Sequence, residues 1–170
     1  MTYLWKRKIK KMNKYISVIA ALLVLSVSGF AKTSMTKAKT ISYMSMERTA
    51  CFGRCPMYKV EIYNTGLVRY TGRQFVDYTG VYEYNIGAAK AKALLKQYAD
   101  KRVDTCSQFY DSNIADLPGI MYNFKINGKD KEISNAHFGP KFLDNLAIEV
   151  DKNVKPDKNW KKVKDINTNE

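Results

Sequence analysis

Histidine is nearly absent from this 170-residue chain: His137 is the only one, beside three cysteines (Cys51, Cys55 and Cys106) and four prolines. Any cysteine–histidine dyad or imidazole-bearing metal site therefore rests on one residue, which stands just ahead of an expected helix start. Acids are sparse too, 16 against 29 Lys and Arg, for a formal net charge of +13. No Gly-x-Ser-x-Gly elbow, Gly-rich phosphate loop or His-Glu-x-x-His segment occurs. That removes the usual grounds for a serine hydrolase, a nucleotide-phosphate site or a zinc peptidase. Asp111, Asp116 and Asp144 are scattered over loops and a helix start, so a paired-carboxylate hydrolase would need a convergence that the sequence does not display.

The N-terminus carries an export signal. Residues 1–31 contain Lys6, Arg7, Lys8, Lys10, Lys11 and Lys14, no acid, an apolar run from Ile16 to Val27, and small residues Gly29 and Ala31 where a signal peptidase reads. The apolar run is shorter than the roughly 20 residues a spanning helix needs, so cleavage is favoured over anchoring. No cysteine follows the run closely enough for lipid attachment. Translation from Met1 or from Met12 gives the same kind of signal. Cleavage removes six basic residues and lowers the formal charge from +13 to +7. The expected product is periplasmic or extracellular, with no transmembrane segment in the mature chain. Nucleic acid is not an expected partner for an exported protein, whereas an anionic or other envelope component is.

The mature part is long enough for one modest core. Residues 32–39 read as a flexible leader, 40–152 as a single domain, and 153–170 as a polar, flexible tail. Within the domain, Thr40–Arg48 alternates as a first strand, and Tyr58, Val60 and Ile62 share a face opposite Lys59 and Glu61. Asn64-Thr65-Gly66 turns the chain back into Leu67–Tyr70. Gly72 suggests a bend or bulge, and Gly80 opens a strand with Tyr82, Tyr84 and Ile86 on one side. A helix from about Ala88 to Arg102 presents Ala91, Leu94, Leu95 and Tyr98 on one stripe. The link 103–119 is expected to dock as a loop. Ile120–Ile126 and Lys129–Ser134 form a second hairpin around Asn127-Gly128. Gly139-Pro140 then leads into a helix bearing Leu143, Leu146, Ala147 and Val150. Hairpins dominate, so the expected class is α+β: a two-layer domain with a mostly antiparallel sheet and two helices packed on one face.

Cys51-Phe52-Gly53-Arg54-Cys55-Pro56 is the segment richest in chemistry. Exported cysteines this close normally pair. Four residues of extended strand span about 13 Å, more than the roughly 7 Å between Cα atoms that a disulfide tolerates, so the segment must turn. Gly53 supplies the backbone freedom and Pro56 fixes φ ahead of the next strand. Two connectivities remain open: Cys51 with Cys55, or Cys106 with one of them. The local pair is self-consistent, and it would display Phe52 and Arg54 on a rigid turn, a candidate recognition surface. Taken singly, Phe52 reads as core and Arg54 as a solvated charge. A second chemistry uses the same pair. The spacing Cys-x3-Cys-Pro with His137 downstream resembles the ligand set of Sco-type copper chaperones, and two thiolates with one imidazole suit Cu(I). In those proteins the pair leads into a helix, whereas Met57–Tyr63 has the period of a strand. A zinc site of Cys51, Cys55, Cys106 and His137 is a weaker variant of the same idea. The expected cofactor is therefore none, with Cu(I) the alternative, and catalysis is not expected. Ten tyrosines remain after cleavage. They suit the inward face of a small sheet, or a stacking surface for a sugar or peptide, with Tyr63 and Tyr78 nearest to turns or off the inward parity.

The run Arg48-Thr49-Ala50-Cys51-Phe52-Gly53-Arg54-Cys55-Pro56-Met57-Tyr58-Lys59-Val60, followed by Gly66, Val68, Tyr70 and Gly72, resembles exported bacterial proteins grouped as domain of unknown function 6438. The likeness extends through Asp116-Leu117-Pro118, the Gly128 hairpin and Gly139-Pro140, over roughly residues 40–152. It implies a small envelope-associated domain and carries over no activity, cofactor or catalytic residue.

Overall fold

The computed structural model describes residues 39–111 and 117–166. The expected signal peptide (1–31), residues 32–38 of the expected leader, and Asp116 lie outside that range. Eight strands form one sheet: β1 (Ile41–Arg48), β2 (Met57–Tyr63), β3 (Leu67–Gln74), β4 (Gly80–Asn85), β5 (Phe109–Tyr110), β6 (Ile120–Ile126), β7 (Lys129–Asn135) and β8 (Lys161–Lys164). Among the described residues two α-helices accompany them, α1 (Ala88–Asp100) and α2 (Phe142–Val154). The sheet order is β5-β7-β6-β1-β2-β3-β4-β8. Every pairing is antiparallel except the short β5–β7 ladder. The domain is therefore α+β with a mostly antiparallel sheet. Among the described residues no helix is long and apolar enough to cross a membrane.

Period-2 patterning explains the register. Met44 and Met46 of β1 stand opposite Ile62 and Val60 of β2 and opposite Phe124 and Tyr122 of β6, and all six are buried. Val68 and Tyr70 of β3 extend the same layer. Leu94, Leu95 and Tyr98 of α1 and Leu143, Leu146, Ala147 and Val150 of α2 complete the core. Helix α1 contacts β1, β2 and α2, and the Tyr122 hydroxyl donates to the Leu143 carbonyl of α2 at 2.9 Å. At the strand parity opposite the core, charges pair across strands instead, as in Arg69 with Glu83 at 2.7 Å and Arg73 with Glu47.

The bulge expected at Gly72 is present: Gly72 pairs with Tyr58 and Gly80, Met57 already faces Gln74, and Arg73 is the extra residue between them. The strand runs on through it to Gln74. Two elements depart from expectation. The link after α1 contains β5, whose two residues are too few to show a period. The polar segment after residue 152 is not structureless: α2 continues to Val154, and Lys161–Lys164 pairs with β4 at the sheet edge. Trp160 is the reason. It is 9% exposed and its ring stacks on Tyr84 at 5.7 Å, supplying the apolar burial that the lysine-rich strand lacks. Trp160→Ala is expected to cost about 2 kcal/mol, below the 3–5 typical of a central aromatic because the site opens to water at an edge. Urea unfolding measures the loss, and a change under about 0.5 kcal/mol, typical of surface substitutions, would mean that β8 is held by its backbone ladder alone.

Candidate functional site

Cys51 and Cys55 are joined in a disulfide with Cα atoms 5.8 Å apart, which closes the open choice of connectivity and leaves Cys106 as a free, buried thiol. Gly53 turns the segment at φ 148°, its N–H donating to the Cys51 carbonyl at 2.8 Å. The chain then passes through Pro56 into β2. Phe52 is 90% exposed, so it does not pack in the core. Arg54 is exposed too, but not simply solvated: its guanidinium lies 5.5 Å from the centre of the Phe75 ring, within cation–π range. Phe75 belongs to the β3–β4 loop, has φ 56° and is half exposed. A bulky residue in the left-handed region is a strained conformation of the kind that gathers at functional loops.

Below this contact lies a cleft of about 310 Å³. Pro56 from the cysteine segment, Tyr58 and Tyr70 from β2 and β3, Tyr78 from the β3–β4 loop, and Asp151 and Lys155 around the end of α2 form its principal walls. Tyr58 and Tyr70 have inward strand parity, and their rings line the cleft together with the end of α2. They stack on each other at 5.5 Å, and Tyr78 meets Tyr82 edge-on at 5.6 Å. Gly72 allows the loop to fold this closely: a Cβ there would lie 1.9 Å from the Tyr78 carbonyl oxygen and 2.8 Å from the Tyr70 ring.

One wall is a closed polar triangle. Arg48 donates from Nε to the Tyr58 hydroxyl at 2.7 Å and from Nη2 to Asp151 Oδ2 at 2.5 Å, while Tyr58 donates to Asp151 Oδ1 at 2.7 Å. Burial, then the neighbouring Asp151 carboxylate, push the Tyr58 phenol well above its ordinary value, so it acts as a donor and not as a nucleophile. Tyr70 is pushed up to about 12, first by burial and then by Asp77 and Asp151.

The other sequence candidates lie elsewhere. His137 follows β7, with β6 and β1 between that strand and β2. Its Nδ1 is 3.0 Å from Asp144 Oδ1, an oxygen that also accepts from Asn135 Nδ2 at 3.0 Å. Asp111 accepts from Ser134. Among the described residues no three of His, Cys, Asp and Glu come together as a metal-ligand set. Tyr63 packs against Tyr43 with ring centres 5.1 Å apart and planes tilted, away from the cleft, whereas Tyr78 lines it.

A family model described as domain of unknown function, DUF6438, matches residues 42–154. The chain belongs to the DUF6438 family. The match covers the disulfide, the cleft wall to Val154 and both helices, and it ends where α2 does. Strand β8 is thus an addition beyond the segment that defines DUF6438 here. No curated protein matches the chain.

Sequence reasoning missed Asp151 and Phe75. The signal for Asp151 was available: it sits four residues after Ala147 and one after Val150, a charge on the border of an apolar helical stripe. Phe75 offered none, because its role depends on a turn conformation.

The five-residue ring closed by the disulfide constrains the unfolded chain little. Replacing both cysteines by serine is expected to lower stability by about 2 kcal/mol on the loop-entropy relation. Thermal unfolding of oxidised and reduced protein gives the comparison, and a loss above about 4 kcal/mol, near the relation's value for a 100-residue loop, would mean that the clip supports the core and not only its own turn.

Proposed function

We propose that this DUF6438 chain is exported and serves as a non-catalytic binding or structural module of the bacterial envelope, with residues 40–152 as its domain and both helices covering one sheet face in two layers. The disulfide turn then acts as a rigid recognition element, with Phe52, Gly53, Arg54 and Pro56 as its contact surface. The observation that carries this reading is the position of the turn: Pro56 lines the tyrosine cleft and Arg54 rests on Phe75 at its rim. A fully exposed aromatic on a cross-linked loop loses little conformational entropy on binding, which favours a recognition role. The N-terminal pattern of residues 1–31 supports export.

Two measurements test the proposal. Intact mass of the protein from a periplasmic extract should correspond to residues 32–170 with one disulfide, and Cys106 alone should be alkylated after denaturation. A chain retaining residues 1–31 would overturn export. Three alkylatable thiols without reductant would overturn the clip, and bound copper lost on His137→Ala would favour thiol or copper handling through Cys51, Cys55 and His137. Co-sedimentation with purified peptidoglycan sacculi and with outer-membrane vesicles tests binding. The bound fraction should fall on Phe52→Ala combined with Arg54→Ala, and an unchanged fraction would remove the turn from recognition.

A further inference from the structure

We infer that the cleft beneath the disulfide turn is a subsite for a neutral pyranose unit, resting on the binding-module reading above. Three observations lead there.

The first is a phenol at the cleft. Tyr70 lines the cleft, and its hydroxyl can donate to a ligand oxygen in place of water. The second is ring geometry. Tyr58 and Tyr70 are held against each other and Tyr78 is braced by Tyr82, so the cleft presents aromatic surface that does not need to be ordered on binding. The apolar C–H face of a sugar ring packs on such surfaces while its rim hydroxyls reach polar groups at the edge.

The third is charge balance, which separates a sugar from charged ligands. Asp151 is engaged by Arg48 and Tyr58, and Asp77 stands 3.9 Å from Lys155. A cation would have to displace Arg48 or Lys155, and an anion would meet two carboxylates. A polyhydroxylated neutral ligand breaks neither pair: its hydroxyls donate to Asp77 and accept from Tyr70 and Lys155. At about 310 Å³, the space lies at the small end of ligand clefts, which run from about 300 to 1,000 Å³. The unit could belong to a free disaccharide or to an envelope polymer. Both have the same chemistry at the subsite.

The test is a backbone-amide NMR titration of the mature chain with cellobiose, with N,N′-diacetylchitobiose and with the tripeptide Ala-Glu-Lys, beside the sacculus co-sedimentation. A disaccharide is expected to shift Val76, Asp77, Tyr78 and Lys155 and to saturate in the millimolar range. Tyr70→Phe, which removes one oxygen and leaves the ring, should weaken binding about five- to tenfold, the equivalent of one hydrogen bond. Its otherwise unchanged spectrum would show that the fold is intact. Affinity should hold as salt rises, since no ligand charge is involved. Binding of sacculi but of neither disaccharide assigns the ligand to the polymer only if Tyr70→Phe weakens it; otherwise the pyranose subsite is overturned. Cleft shifts with the tripeptide alone would overturn the sugar and keep the binding module. No shift with any probe up to about 10 mM, together with no co-sedimentation, would overturn both, since a millimolar site would by then be occupied.

Discussion

Gly72→Ala is expected to destabilise the domain by about 3 kcal/mol or more, at the upper end of what overpacking costs. The added Cβ would sit 1.9 Å from the Tyr78 backbone oxygen, 2.8 Å from the Tyr70 ring and 3.0 Å from Val76. Rotation of a flexible side chain cannot relieve the first of these contacts, because its partner is main chain. Nor can the glycine retreat, being paired on both sides, to Tyr58 and to Gly80. Relief requires the β3–β4 loop to lift, which carries Tyr78 and Phe75 away from Tyr70 and opens the cleft. Two readouts should therefore move together: the urea midpoint followed by circular dichroism, and the contact between Arg54 and Phe75 followed by aromatic-ring NMR shifts. If stability stayed within about 1 kcal/mol of wild type, the ordinary size of a point-mutation effect, the close approach of loop to strand would be wrong.

The same glycine shows what a linear sequence conceals. A break in a period-2 pattern looks alike whether the strand bends there or another piece of backbone lies on top. Gly72 suggested a bend or bulge, and the structure has the bulge at Arg73 beside it; that the Tyr78 carbonyl also lies over the glycine was not legible. Where burial alone decides, the residues were legible: the alternation in β1, β2, β6 and β7 and the stripes on α1 and α2 appear at their expected positions. Short elements were not, because β5 and β8 have two and four residues and are secured by partners far along the chain. The cysteine turn was legible through its own geometry. The cleft beside it was half so: Tyr58 and Tyr70 were placed on the inward face, but nothing in the spacing told that the β3–β4 loop and the end of α2 meet beside them as cleft walls.

Asp151→Ala is expected to cost about 3 kcal/mol, near the lower bound for breaking a buried ion pair, because the Arg48 and Asp151 side chains remain 26% and 28% exposed and water screens part of the interaction. The loss comes mainly from what is left behind. Arg48 and the Tyr58 hydroxyl would each lose the acceptor that now sits 2.5 and 2.7 Å away, inside a partly enclosed wall. Replacement by asparagine keeps one acceptor oxygen and should cost about 1 kcal/mol, the worth of an ordinary hydrogen bond. Arg48→Met combined with Asp151→Leu should recover much of the difference, since an apolar pair leaves no polar group stranded. Urea unfolding of Arg48→Met, Asp151→Leu and the double forms a cycle whose coupling should exceed about 1 kcal/mol. The position of the triangle gives that number structural meaning. Asp144 and Asp151 lie seven residues apart along one side of α2, the first reaching Asn135 of β7 and the second reaching β1 and β2. The helix is thus pinned to the same end of the sheet at two points, and the second pin is also the cleft wall. A coupling near zero would reduce it to a solvated surface pair, and the orientation of Tyr58 in the cleft would then depend on its stacking against Tyr70 alone.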